Sequence, residues 1–319
     1  VREYLSGFTD WTPVDYTIKS FADERFWSFP INLNTYEEMI GRPATEEEFL
    51  AYLEKERLDI PEPKNSEEVI LSQVGRELYE RFFEGYTIKQ WKRHPRELDA
   101  SVCGRIPIRT NRDDRYLREE FQALPAEGYT KLFERMVESN PKIEVKLGTS
   151  LEEAEKHYSW DLLVYSGAID QYFGERCGPL PYRSLRFEKK SFSAEDLKKS
   201  GREKISGKEG FWQPAMQVNY PSPDVEQTRI VEIKHATGQK TSNTSISMEY
   251  PAEMEETGEP YYPMPTPDAA QRYRRYKELA DKEKGTVFLG RLATYRYYNM
   301  DQVVAMALKK FEGVQDDFR

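Results

Sequence analysis

A mixed α/β plus antiparallel β fold with a helical insert is what this sequence predicts, on three observations. Apolar residues recur at helical spacing through much of residues 36–98. A clean helical pattern at 129–137 is followed by two short apolar runs of strand length. Four further runs between Leu185 and Tyr250 have strand character. With 319 residues, the chain has material for two or three cores.

Taken in order, Thr12 to Asn32 reads as a hairpin. Val14, Tyr16 and Ile18 alternate with polar residues, a turn falls near Ala22 to Arg25, and Phe26 to Phe29 returns before Pro30. Thr45 and Glu48 form a capping box ahead of Phe49, Tyr52 and Leu53. Ser66 is expected to cap a longer helix with the stripe Ile70, Val74, Leu78 and Phe82, and Gly85 to stop it. Tyr129, Leu132, Phe133, Met136 and Val137 then mark one helix face. Ile143 to Leu147 is expected as a strand. Trp160 to Tyr165 reads as a strand covered on both faces. That helix–strand–strand succession suits part of a nucleotide-binding α/β domain. Arg186 to Phe192, Phe211 to Asn219, Thr228 to Lys234 and Thr244 to Tyr250 are the antiparallel candidates, and Glu195 to Glu209 is a solvated loop or short surface helix. Asp268 is expected to cap a helix, Thr286 to Leu289 to form a strand, and Met300 to Phe311 the last helix.

Composition bounds the function. The net charge of −9 argues against nucleic acid or an anionic membrane surface as partner, while leaving room for a few cleft arginines. Cys103 and Cys177 are too few for a disulfide framework or a zinc signature. His94, His157 and His235 lie far apart, so no metal site is expected. No apolar run reaches the roughly 20 residues needed to span a bilayer, and the first residues form no signal-peptide core, which points to the cytoplasm. No G-x-G-x-x-G, G-x-S-x-G or H-E-x-x-H occurs. Gly201 to Lys208 fails as a P-loop, because its spacing is one residue too long and Glu209 replaces the Ser or Thr that would hold magnesium.

Four segments carry a family resemblance: Phe29-Pro30-Ile31-Asn32-Leu33; Phe83-Glu84-Gly85-Tyr86-Thr87-Ile88-Lys89-Gln90-Trp91; Arg105-Ile106-Pro107-Ile108-Arg109, running on to Tyr116; and Gly290-Arg291-Leu292-Ala293-Thr294-Tyr295-Arg296-Tyr297-Tyr298-Asn299-Met300-Asp301. In this order and at these separations the chain resembles UDP-galactopyranose mutases over almost its whole length. The resemblance implies an incomplete Rossmann-like FAD domain beside a mostly antiparallel sheet domain. It divides the chain into a sheet-domain hairpin (1–31), a helical domain (32–98), a sheet-domain connection (99–128), an FAD-domain portion (129–176), the antiparallel sheet domain (177–266) and a C-terminal FAD-domain portion (267–319). The glycine-rich turn of such a domain is not found in the chain and is expected ahead of Val1.

The activity implied is interconversion of UDP-galactopyranose and UDP-galactofuranose, or of a related nucleotide sugar. It uses reduced FAD, passes through a covalent flavin–sugar intermediate and leaves no net redox change. The nucleotide sugar is the implied partner, and a homodimer is compatible with the resemblance. Arg109 would clamp the diphosphate and stabilise the departing charge, and Tyr297 is the second catalytic candidate, its hydroxyl also offered to phosphate and sugar. Asn32, Tyr86, Thr87, Trp91, Tyr116, Asn219, Arg229 and Tyr262 match substrate-side positions, Trp91 lying against the base. Arg291, Tyr298, Met300, Asp301, Gln302 and Val303 match the cofactor side, where a helix N-terminus suits flavin phosphate or carbonyl groups. Read without the resemblance, each keeps a structural alternative: a surface ion pair for Arg109, a core position for Trp91 and the tyrosines, turn or cap duty for the asparagines, and capping by Asp301. The chain also departs from the family. A second diphosphate arginine is expected after Glu249-Tyr250, where Pro251-Ala252 stand. Arg229 or Arg115 compensates, or the substrate is another nucleotide sugar. Another FAD-dependent oxidoreductase of this architecture, or an inactive fragment, are the competing readings.

Overall fold

The computed structural model describes residues 1–314. The chain divides into two compact units with interleaved segments, one of residues 13–123 and 183–259, the other of 1–12, 124–182 and the residues from 260 onward.

The first unit is built on a sheet of β1 (Ile18–Ala22), β2 (Arg25–Phe29), β3 (Tyr182–Phe192), β4 (Gln217–Asn219), β5 (Arg229–Val231) and β6 (Thr244–Glu253). These strands run in the order β3-β6-β5-β4-β1-β2. β1 and β2 form the expected hairpin, although its first strand begins at Ile18 and not near Val14; Asp23 and Glu24 are both at positive φ (50° and 58°) in its two-residue turn. Such a turn matches the right-handed twist of the flanking strands. β4 pairs parallel with β1, placing Gln217 beside Ile18 and Asn219 beside Ser20. The β4–β5, β5–β6 and β3–β6 pairs are antiparallel.

Helices Leu33–Ile40, Glu46–Glu56 and Ser66–Tyr79 follow the hairpin. They have no core of their own: Ile70, Val74, Leu78 and Phe49 share one apolar cluster with Ile18, Trp27 and Phe29 of the hairpin. The division at residues 31 and 98 therefore does not separate compact units, because hairpin and helices bury their apolar faces against each other. Residues 1–12 also group with the other unit.

The Thr45–Glu48 capping box forms as read. Asn65, not Ser66, caps the next helix, its side chain accepting from the Glu68 N–H at 3.0 Å. Gly85 does not end the helical run. A π-helical turn, Glu80–Glu84, leads directly into helix Gly85–Trp91, which Lys92 closes in the left-handed region. The glycine is needed for another reason, since a Cβ there would lie 2.4 Å from the Pro221 carbonyl oxygen.

Two antiparallel candidates are shorter than expected. Phe211 to Asn219 is strand only from Gln217, because the buried Glu232 carboxylate takes the Trp212 and Gln213 N–H groups that a ladder would use. Thr228 to Lys234 is strand at Arg229–Val231 and then turns into helix Lys234–Thr237. The charged 195–209 stretch forms two short helices, Ala194–Lys199 and Arg202–Ser206.

In the second unit, strands Leu163–Tyr165 and Thr286–Phe288 pair in parallel. Val164 is 53% exposed, so this run is not covered on both faces. Ile143 to Leu147 forms no strand, and all three of its apolar residues are exposed. Without a neighbouring ladder, its backbone groups gain nothing from the extended form. Helix Gly128–Glu138 buries Leu132 and leaves Tyr129 and Phe133 exposed. Thr266, rather than Asp268, caps helix Pro267–Ala280, accepting from the Ala269 N–H. Its Tyr276 is fully buried and stacks with Phe173, which in turn stacks with Phe288. Helices Gly290–Ala293 and Met300–Val314 complete the unit. Among the described residues, no helix is long and apolar enough to cross a membrane. The architecture is the mixed α/β and mostly antiparallel class expected.

Candidate functional site

The sheet unit gathers polar residues where β4, β5 and β6 lie side by side. Side chains two apart on a strand share a face, so Gln217 and Asn219 project together from β4. Arg229 stands opposite Asn219 across β4–β5 and opposite Glu249 across β5–β6. The Arg229 Nε donates to Glu249 Oε2 in a short, partly buried ion pair.

Tyr16, just before β1, closes the group. Its hydroxyl donates to Gln217 Oε1 at 2.5 Å, and Gln217 Nε2 donates to Asn219 Oδ1 at 2.8 Å. Its ring meets Tyr116 edge-on, with centroids 5.6 Å apart. Burial raises the Tyr16 pKa. Arg229 opposes that shift, while Tyr116, Tyr86 and Glu249 add to it. Of the residues singled out in the sequence, Tyr86, Tyr116, Asn219 and Arg229 thus come together.

Arg109 has a different setting. Its Nη1 donates to the Arg115 carbonyl at 2.5 Å and its Nη2 to the Leu117 carbonyl at 3.2 Å. Asp113 lies 3.8 Å from Nε, and the side chain is 10% exposed. Burial lowers its pKa, and Asp113 opposes that shift. The guanidinium folds residues 113–117 around itself, and with five N–H donors it retains capacity beyond these contacts. Arg115 is paired bidentately with Asp113 at 2.9 Å.

Three residues face inward. Thr87 is buried with its hydroxyl 3.6 Å from Cys103 Sγ, and Trp91 is 6% exposed. Asn32 is wholly buried. It caps helix Leu33–Ile40 through the Thr35 N–H and donates to Asp114 Oδ1 at 2.6 Å.

Sequence reasoning missed Tyr16, Gln217, Glu249 and Lys89. Lys89 Nζ donates to the carbonyls of Tyr220, Val225 and Gln227, tying helix Gly85–Trp91 to the loop between Asn219 and Arg229. The i, i+2 pairing of Gln217 with Asn219 was a usable signal. The rest depended on contacts distant in sequence.

Glu67, Glu84 and His94 bring ligand-type atoms within 4.8 Å of one another. His94 Nδ1 accepts the Arg96 N–H at 3.4 Å, and Nε2 faces Glu84 at 3.2 Å. A cation at these three groups would have to displace the His94–Glu84 hydrogen bond.

In the second unit, Arg291 organises a separate aromatic group. Its Nη1 donates to the Tyr261 carbonyl at 3.0 Å, and Nε donates to the Tyr298 carbonyl at 3.1 Å. The guanidinium lies 4.7 Å from the Tyr297 ring centroid and 5.6 Å from that of Tyr262. Those two rings stack nearly parallel, at 6° and 5.4 Å. Helix Met300–Val314 begins shortly afterwards, with Met300, Asp301 and Gln302 exposed and Val303 half-buried. Gln302 Oε1 accepts the Asn299 N–H at 2.9 Å, so Gln302 serves the start of this helix.

The sequence model of the UDP-galactopyranose mutase family matches residues 81–297. A Klebsiella pneumoniae protein named "Probable UDP-galactopyranose mutase" is 35% identical over 97% of this chain and 76% of its own length. An Escherichia coli protein named dTDP-fucopyranose mutase is 32% identical over 97% of this chain and 80% of its own. A crystal structure of reduced UDP-galactopyranose mutase superposes with a TM-score of 0.66, at 14% identity, over 93% of this chain and 77% of that one. Matched by the family over more than half its length, the chain belongs to the UDP-galactopyranose mutases, a family of isomerases.

Proposed function

We propose that the chain interconverts the pyranose and furanose forms of nucleotide-bound galactose, or of a closely related nucleotide sugar, with FAD as cofactor. The observation that carries this reading, beside family membership, is the grouping of Tyr16, Tyr116, Asn219 and the Arg229–Glu249 pair. Such a group binds an anionic, hydroxyl-rich ligand: guanidinium groups take phosphate oxygens, and phenol and amide groups take sugar oxygens. Arg229 and Arg109 hold the diphosphate and neutralise the charge that develops as it departs. Arg229 thereby serves where Pro251-Ala252 replace the second arginine expected from the family. Tyr86 and Tyr116 offer hydroxyls. Thr87 and Trp91, being buried, support the nucleotide side from the interior.

The residues of the second unit fit a flavin. The first turn of helix Met300–Val314 is exposed, and backbone N–H groups at a helix start suit an anionic or carbonyl edge. Arg291, held by two backbone carbonyls, brings positive charge to the Tyr262–Tyr297 stack, suited to a reduced, anionic ring. When bound in reduced form, FAD supplies a nucleophilic ring nitrogen for the anomeric carbon.

The test is incubation of the protein with FAD, dithionite and UDP-galactose, followed by chromatographic separation of the ring forms. A parallel arm uses a dTDP-linked deoxyhexose, because one relative bears that specificity in its name. Conversion of either sugar without stoichiometric use of reductant supports the reading. Oxygen consumption with no ring interconversion would place the chain among oxidoreductases instead.

A further inference from the structure

We propose that Tyr16 and Gln217 are positioning residues that fix the hydrogen-bonding polarity of Asn219, so that Asn219 presents its amide N–H to an oxygen acceptor of the nucleotide sugar. This rests on the reading of Asn219 as a ligand contact.

A phenol carries one proton, and that of Tyr16 is committed to Gln217 Oε1 at 2.5 Å. With its oxygen engaged, the Gln217 amide turns its nitrogen toward Asn219 and donates to Oδ1 at 2.8 Å. Asn219 is thereby held with its carbonyl toward Gln217 and its Nδ2 directed away. Its NH2 group has no acceptor among the described residues, and the side chain is half-buried beside Arg229. An isolated asparagine amide can turn over and offer either donor or acceptor. Here the relay selects the donor.

The relay cannot readily reverse. Gln217 is buried, and the Tyr16 ring is packed against Tyr116. Burial and the nearby Glu249 keep the Tyr16 proton in place, so the relay always begins with a donor. The consequence is a pair of neighbouring donors. Asn219 Nδ2 and the Arg229 guanidinium both donate, which suits phosphate or sugar oxygens and disfavours a ligand group that must itself donate.

The experiment is calorimetric titration of UDP-galactose into the full chain, with melting curves for every variant. Asn219→Ala should weaken binding about tenfold, the effect of losing one hydrogen bond of ordinary strength. Gln217→Met and Tyr16→Phe, which release Asn219 without adding charge, should weaken it about threefold or more by the same reasoning. In the Asn219→Ala background, neither change should cost more than about a further twofold, because residues acting through one another are not additive. Full multiplicative losses in that background would overturn the relay. So would an unaltered affinity for Gln217→Met and Tyr16→Phe while Asn219→Ala weakens binding. Unchanged affinity for Asn219→Ala would instead remove Asn219 from the ligand site, and the proposal with it. Tyr16→Phe keeps the ring against Tyr116, so the test survives if Gln217→Met fails to fold.

Discussion

Arg229 and Glu249 face each other across β5 and β6 and close an ion pair in which the carboxylate side chain is 11% exposed and the guanidinium 23%. Removing one partner from such a pair strands the other in a poorly solvated place. Glu249→Ala should therefore destabilise the protein by about 2 kcal/mol, below the full effect of a buried pair because Arg229 retains some solvent contact. The double variant Glu249→Ala/Arg229→Met should recover most of that loss. Urea unfolding of the single and double variants checks both outcomes, and strictly additive losses would show that the two residues are not coupled.

Acid should loosen the loop around Arg109 through Asp113. The hydrogen-bonded Arg115 side chain, ahead of other effects, holds the Asp113 carboxyl down to about 2, against an ordinary value of 3.8. A folded-state pKa below the unfolded one contributes stability above the unfolded value, lost as pH falls through the folded one. Because the Arg115–Asp113 pair is partly exposed and screened by solvent, the contribution near neutrality is about 1 kcal/mol or less. The stability gap between wild type and Asp113→Asn should thus shrink steadily between about pH 5 and about pH 2. Thermal unfolding across that range measures it, and a gap independent of pH would refute the assignment.

Lys89 should govern the order of the loop between Asn219 and Arg229. Its ammonium serves three backbone carbonyls, and burial lowers its pKa to about 8. Lys89→Met leaves those carbonyls without their donor, at a cost of about 1–3 kcal/mol. Hydrogen exchange should accelerate across residues 220–227 more than in helix Glu46–Glu56, which Lys89 does not touch. Equal acceleration in both would indicate global rather than local loosening.

Trp91 should report on stability more than on affinity. At 6% exposure it is part of the interior, so Trp91→Ala should cost about 3–5 kcal/mol of unfolding free energy. A tryptophan stacked in the open on a base would instead lose about 1–3 kcal/mol of nucleotide binding. Melting curves and UDP titration of the same variant separate the two. A stable alanine variant with weakened UDP binding would place the ring in the ligand site.

What could be read from the sequence was local. The Thr45–Glu48 box and the Asp23-Glu24 turn depend on residues within a few positions, and both form as read. Helix ends set by distant parts were not legible. Gly85 looked like a stop, yet its constraint is the Pro221 carbonyl. Ile143 to Leu147 had strand composition but lacks a partner strand, which composition cannot reveal. Phe211 to Asn219 lost most of its strand to the Glu232 carboxylate. At the site, Arg229, Asn219 and Tyr116 came from family motifs. Tyr16 and Gln217 emerge only when β1 and β4 are laid side by side.

That parallel pairing also dictates when the site can exist during synthesis. Tyr16 and Gln217 are 201 residues apart in the chain, yet they share a hydrogen bond. Closing so long a loop is entropically expensive and slows folding relative to local contacts. The hairpin of β1 and β2 can form as soon as it leaves the ribosome. Its parallel neighbour is made some two hundred residues later, at about 5–20 residues per second. Until then β1 presents an unpaired edge, the kind of surface that invites the wrong strand. A nascent chain halted before Gln217 would hold Arg109 and Tyr116 but none of the β4, β5 and β6 residues that complete the ligand group.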